Sequence, residues 1–568
     1  LANPRGTDAG ALYILDYAAT RVFDDGSTLT LTHVIVRVFN KEGIDAFGEL
    51  NLPGNALLLK VHTVKPDGRV MEPESIPDKP SLSMPNLEPG DFVEYAYLEG
   101  TSGSLIRKGT YLGFRFFFNI ADAPMLRSEY VLELPRDWTP LFERRNGLSE
   151  PDITPLATTK RYRFTVRDAP RAATEPSAVP IAEVVPSVRT THRYTWADVH
   201  QTYRDKLMVN LRPSNAIRGA VQRVIAGIDN PRDKARALFN YVLESVDDDA
   251  SGPFVQPAAH IFAAGSGDRL VLLSVMMDLA GLSNTILLGR SLDSDMTEGA
   301  GPSIDPWGYP LLRVEPGDGS EPIWLDPSET YALFDYIPPA VHGSEALILG
   351  QANIDQGTQA LIVPIPTQPS EQEQRVVQLK LAIDRNGDAI GLGTETYQGS
   401  SGILLRQILD QYTDPVDFEQ ALAQALATSF PGLELQKLTI THRDAPDKPL
   451  ILDYKFITKG FARVEGKTLL IERPILPNRL EATFAALPER QTGLAVLEPI
   501  EMKATFQMAF PKGTTAQVSG EPTQLNSPFG NFESTLQTQG NQVTFTRLLS
   551  VKLQRVSPQQ YPDFKAFA

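Results

Sequence analysis

Between residues 11 and 170 the apolar positions recur mostly at every second residue, the period of half-buried strands. LYILDYAATRVF and STLTLTHVIVRVF flank Asp24-Asp25-Gly26, a hairpin signal, and VHTVKPDGRV repeats the scheme around Pro66-Asp67-Gly68. PNLEPGDFVEYAYL, FRFFFN and SEYVLELP continue it, and together they predict a β-sandwich over residues 1–170. Residues 171–202 are proline-rich and aperiodic and read as a linker or an extended crossing segment.

The period then changes. NAIRGAVQRVIAGI places Ile217, Val221, Val224, Ile225 and Ile228 on one helical face, and Asn230 with Pro231 opens a second helix. GSGDRLVLLSVMMDLAGL, residues 265–282, is a glycine turn feeding a helix that is apolar nearly all round, which predicts burial. TILLGR, YPLLRVEP and PIWLDPS read as strands, and the acidic loop SLDSDMTEGAGPSIDP between the first two reads as mobile over one face. From residue 366 strands return, with a hairpin turn at Asn386-Gly387 and helices near 402–411 and 415–429. The expected fold is therefore multi-domain α+β. It has an N-terminal β-sandwich (1–170), a linker (171–202), a central α+β domain (203–365) and a C-terminal β-rich domain with two helices (366–568).

Composition narrows the chemistry. A net charge of -16 argues against nucleic-acid binding, which selects basic surfaces. The chain has no cysteine, so disulfides, thiolate zinc sites and a thiol nucleophile are all absent. Seven scattered histidines form no HxH or HExxH pair, so no metal site is expected, and no cofactor is called for. No apolar run reaches the roughly 18 residues of a membrane helix. The start, LANPRGTDAG, lacks the charged and apolar regions of a signal peptide, so either one has been cleaved or the chain is part of something longer.

The order of these pieces resembles a known bacterial architecture. Residues 11–135 resemble the DUF3857 domain, through the strand pair around DDGS, TVKPDGRVMEPESI and the PNLEPGD block. Residues 203–350 resemble a transglutaminase-like domain of the papain-related fold, and the remainder resembles the C-terminal β domain that often follows. In active transglutaminase-like proteins a GDC segment opening a helix supplies the nucleophile. A His heads a following strand, and an Asp in a W-x-D-P segment orients it. Gly267-Asp268 matches the GD, and Arg269 stands where Cys would follow. The stretch from Asp268 to Gly281 is short by about one helical turn, so either Arg269 replaces the Cys or the Cys-bearing segment is deleted. Tyr309 or Pro310 falls at the His position, while Trp324-Leu325-Asp326-Pro327 fits W-x-D-P and PPAVHGSEALIL resembles the closing segment.

With two of three positions changed, the resemblance implies no catalytic residue and a protein that is not an enzyme. Asp326, without a His, is expected to be structural, either capping a turn or pairing with Arg269 as an inert plug. Ser266, with His260 upstream, is expected to be a turn serine rather than a nucleophile. DRNGD at 384–388 reads as a hairpin turn, not a calcium loop, and the aspartates at 247–249 read as a solvated loop. The expected role is an envelope or periplasmic scaffold or binding module for a protein, peptide or glycan. One candidate surface is a vestigial cleft formed by Ser266, Asp268, Arg269, Trp307, Tyr309, Trp324 and Asp326; the exposed sheet edges are another. The alternatives are a hydrolase or acyltransferase using other residues, and a structural adhesin or assembly subunit. The architecture also allows a helical-repeat region in a longer native chain.

Overall fold

The computed structural model describes residues 9–75, 81–102, 107–120, 123–248, 254–297, 299, 301–349, 362–472, 475–477, 479–518 and 521–568. The chain divides into two units. Leu1–Thr202 with Ser294–Pro306 fall in the first, and Tyr203–Asp293, Trp307–Asn353 and Ala360–Ala568 fall in the second. The architecture is mixed α and β, with β-rich N- and C-terminal regions.

In the first unit β1 (Ala11–Val22), β2 (Thr28–Val38), β3 (Leu57–Val64), β4 (Val70–Met71), β5 (Phe92–Thr101), β6 (Met125–Pro135), β8 (Asp152–Pro155) and β9 (Thr159–Ala169) form one sheet; β7 (Leu141–Arg145) and β10 (Ser187–His192) lie in another. The large sheet runs β8-β9-β6-β1-β2-β5-β3-β4. β1 and β2 are antiparallel about the Asp24–Gly26 turn, and β1 pairs in parallel with β6. The sheets pack through Phe142 on Phe164, 5.3 Å between ring centroids, and Phe116 on Tyr130 at 5.1 Å, which makes the expected sandwich.

Two expectations change here. β10 lies inside the stretch read as a linker, yet all six of its residues are buried. Its sequence, SVRTTH, carries no apolar alternation, and two of its polar side chains find specific partners. Arg189 pairs with Asp305, and His192 stacks on Trp138 at 4.3 Å. The segment Ser294–Pro306, read as mobile, is tethered within the same unit. Asp295 pairs with buried Arg145, and Glu183 accepts from the Met296 amide at 2.7 Å.

The second unit begins with α1 (Asn215–Val224), α2 (Pro231–Ser245), α3 (Ala258–Ala264) and α4 (Arg269–Leu279). The Asn230 side chain caps α2 as expected, accepting from the Arg232 and Asp233 amides at 2.9 and 3.1 Å. Every residue of α4 from Arg269 to Met277 is buried, in keeping with its unbroken apolarity. It packs on an antiparallel sheet of β11 (Ser283–Gly289), β12 (Tyr309–Glu315), β13 (Ile323–Leu325), β14 (Glu345–Ile348) and β15 (Ile362–Pro364), ordered β13-β12-β11-β14-β15.

Next come β16 (Gln374–Ile383), β17 (Ala389–Tyr397), α5 (Gly399–Asp410), α6 (Pro415–Ala427), β18 (Glu434–Thr441) and β19 (Leu450–Thr458). β20 (Ile500–Ala509), β21 (Thr523–Ser527), β22 (Gly530–Gln539) and β23 (Gln542–Val551) complete a sheet ordered β18-β19-β17-β16-β20-β23-β22-β21. One face of it buries Leu379, Leu381, Leu452, Phe456 and Phe506 with Leu409 of α5 and Phe418 of α6.

Candidate functional site

The glycine turn is built as the sequence implies. Gly265 and Gly267 hold φ of 68° and 132°, and a Cβ on Gly267 would meet the Gln256 side chain at 2.5 Å. The turn is stitched to the end of α2. The Asp247 amide donates to Gly265 O, and the Gly267 amide donates to Asp247 O, both at 2.9 Å. Asp268 caps α4, accepting from the Leu270 and Val271 amides at 3.0 and 3.3 Å, and its other oxygen takes the Phe254 amide at 2.8 Å. Asp247 and Asp248 are exposed; Asp249 lies outside the described residues.

Arg269, the first residue of α4, is only 3% exposed. Its Nε donates to Val246 O at 2.7 Å, and its Nη1 donates to the carbonyls of Pro327 and Glu329 at 3.3 Å each. Burial lowers its pKa from the usual guanidinium value, opposed by Asp248, Asp247 and Glu329. Of the two roles expected for Asp326, the pair with Arg269 does not form, because the guanidinium serves backbone carbonyls, and Asp326 instead caps the turn that follows it. The Tyr309 hydroxyl donates to Asp326 Oδ2 at 2.7 Å, while Oδ1 accepts from Ser328 N at 3.0 Å and Ser328 Oγ at 2.5 Å. Burial, then the Asp326 charge, push the Tyr309 hydroxyl well above its ordinary pKa, so it stays a neutral donor.

The other candidate residues are interior or unconnected. Trp307 and Trp324 are each 6% exposed. The Arg290 guanidinium lies 5.8 Å from the Trp307 ring, and Trp324 belongs to a core with Leu287, Leu311 and Tyr309. Ser266 is half-buried, His260 is exposed on α3, and no side-chain bond joins them among the described residues. Arg269, Trp307, Trp324 and Asp326 are all buried, and Arg269 ties the start of the helix to the chain that follows Asp326. Among the described residues no group of three metal-ligating side chains converges.

That following chain leads to a feature the sequence did not reveal. Residues 330–336 wall a cavity of about 650 Å³ that also takes Arg236 and Glu244 of α2, Tyr397, Gly399 and Arg406, and the loop 444–449. Tyr336 and Tyr397 turn their hydroxyls onto the buried carboxylates of Glu373 and Glu395, both at 2.6 Å, and Tyr331 bonds Asp410 at 2.7 Å. Arg236 lies over the Phe334 ring at 4.2 Å. Arg406, 2% exposed, donates to the carbonyls of Gly402, His442, Arg443, Ala445 and Lys448 at 2.8–3.1 Å and so moulds the second wall. A buried arginine serving carbonyls is invisible to motif reading, and the walls come from segments far apart in the chain.

Comparison with known proteins agrees with this architecture. The DUF3857 family, a domain of unknown function with a solved structure, matches residues 80–173, and DUF3858, described likewise, matches residues 467–568. The DUF3857 match thus starts later and ends later than the expected 11–135. No curated protein matches the chain. A crystal structure from Parabacteroides distasonis, named a putative protease, is 14% identical over 98% of this chain and 96% of that one, with a TM-score of 0.64. A putative cysteine protease from Cytophaga hutchinsonii is 12% identical over 46% of this chain and 90% of its own, at a TM-score of 0.18 that carries no weight. One expectation is overturned. The fold is shared with a protein named a protease, so the inference that this chain is not an enzyme does not stand; a missing cysteine removes thiol chemistry, not catalysis as such. The chain thus carries a DUF3857 match and a DUF3858 match, and its multi-domain α+β fold is shared with the Parabacteroides structure.

Proposed function

We propose that this protein binds polypeptide, holding a short peptide segment in the cavity between residues 330–336 and the 444–449 loop. The observation that carries this reading is a cavity of about 650 Å³ with charges of both signs at its edge. That volume is ordinary for a ligand site. Arg236 and Lys448 suit a carboxylate, and Glu244, Asp444 and Asp447 suit an ammonium group. The faces of Tyr331, Phe334 and Tyr397 offer flat apolar contact. The shared fold of a protein named a putative protease favours polypeptide as the ligand class. A cysteine-free chain suits an oxidising envelope or periplasmic compartment, and no helix among the described residues is long and apolar enough to cross a membrane.

Calorimetry with tetrapeptides bearing free termini, against the same peptides acetylated and amidated, tests the reading. Free peptides should bind, blocked ones should bind more weakly, and Arg236→Glu should abolish the difference at the carboxylate end. No binding, or equal binding of free and blocked peptides, would refute it. Mass spectrometry of the same mixtures addresses the second reading, favoured by the shared fold: cleaved peptides would make the protein a hydrolase acting without a thiol.

A further inference from the structure

The C-terminal sheet has a second face, turned away from α5 and α6. Its residues alternate with the buried Leu379, Leu381, Leu452 and Phe456, and it is open to solvent. The strand register sets side chains on this face into straight rows across the strands. One row runs Lys437, Lys455, Leu392, Lys380 over β18, β19, β17 and β16. The next runs Thr439, Asp453, Thr394, Gln378, Thr505, Thr546 and continues onto β22.

Two features of these rows cost stability and bring no fold in return. Lys437 and Lys455 are direct cross-strand partners, and like charges so placed repel. Among the described residues none of Lys437, Lys455 and Lys380 has an ion-pair partner, although the chain as a whole is strongly acidic. The carboxylate of the neighbouring row, Asp453, is engaged by the Thr394 hydroxyl at 2.6 Å. Beyond it the second row is hydroxyl and amide throughout.

We propose that this face binds a linear acidic polysaccharide lying across the strands. Adjacent strands are about 4.8 Å apart, so the three lysines span about 14 Å in a straight line and can meet acid groups on successive sugars. The threonine and glutamine row beside them offers donors and acceptors to sugar hydroxyls. A folded protein partner has little to anchor on, because the apolar side chains here are few, Ile390 and Leu392 beside Ile457 with Leu548 apart on β23. A nucleic acid fits poorly as well, because these rows offer no aromatic ring for base stacking.

The test uses the full chain with polygalacturonate, uncharged dextran and polyglutamate as probes, at about 50 and about 300 mM salt. Polygalacturonate should bind and weaken with salt, while dextran should not bind. Lys380→Gln/Lys437→Gln/Lys455→Gln should cut polygalacturonate affinity at least about tenfold and leave the melting temperature unchanged or raised. Thr505→Val/Thr546→Val should weaken polygalacturonate several-fold and leave any polyglutamate binding alone. Absence of polygalacturonate binding, no effect of the lysine substitutions, or equal affinity for polyglutamate would overturn the proposal. Arg236→Glu, which disables the peptide cavity, should leave polysaccharide binding intact, so the two proposals fail separately.

Discussion

The Tyr309 hydroxyl sits 2.7 Å from Asp326 Oδ2, and the carboxylate's other oxygen is held by Ser328. In the family resemblance Asp326 stands for the acid that orients an imidazole, and Tyr309 or its neighbour Pro310 stands where that imidazole would be. Here the pair is a neutral donor on a buried acceptor, which fixes a strand end and the chain beyond it. Tyr309→Phe should remove the donor and leave a buried carboxylate oxygen without that partner. The expected loss is about 1–3 kcal/mol in chemical denaturation. An unchanged unfolding midpoint would mean that the bond does not contribute.

Arg269 supports the same segment from the helix side. Arg269→Ala should strand the buried Val246 and Pro327 carbonyls and release Glu329, at a cost of about 2–4 kcal/mol. Because Pro327 and Glu329 lead directly into the cavity wall, peptide affinity should fall with it, measured at a temperature where the variant remains folded. A variant that melts early yet binds peptide normally would separate the arginine from the cavity.

On the other wall Arg406 reaches five carbonyls, more than an ammonium can serve at once. Arg406→Lys should therefore behave as a loss despite keeping the charge. The expected result is at least about a tenfold drop in peptide affinity with a lowered melting temperature. Wild-type affinity in the lysine variant would show that the 444–449 loop holds its shape without the guanidinium.

How much of this was legible beforehand depended on how local each signal is. The cap at Asn230 and the turn at Asn386-Gly387 each lie within a few residues of their cause, and the chain announces them. Long-range matching was illegible. β10 is a polar strand buried by Asp305 and Trp138, and nothing in SVRTTH says so. The partners of Arg269 and Arg406 are carbonyls, which every sequence has everywhere, so their choice is set only by tertiary structure. The cavity joins segments spread between residues 236 and 449, and no periodicity records it.

One prediction concerns pH in the first unit. Burial raises the Asp16 carboxyl from 3.8 to about 6, with the Ser128 hydroxyl bond opposing it. Between these values the folded chain keeps a proton that the unfolded chain releases, so stability falls as pH rises from about 4 to about 6 and stays lower above. Asp16→Asn should flatten that part of the profile and raise stability near pH 7 by roughly 1–3 kcal/mol. A variant whose pH profile overlays the parent would contradict the assignment.

The most direct measurement is hydrogen exchange on the full chain with and without a free-terminus tetrapeptide that binds in calorimetry. Protection is predicted in residues 330–336 and 444–449 together, and it should vanish in Arg236→Glu. Protection confined elsewhere, or equal protection in that variant, would contradict a peptide site in this cavity.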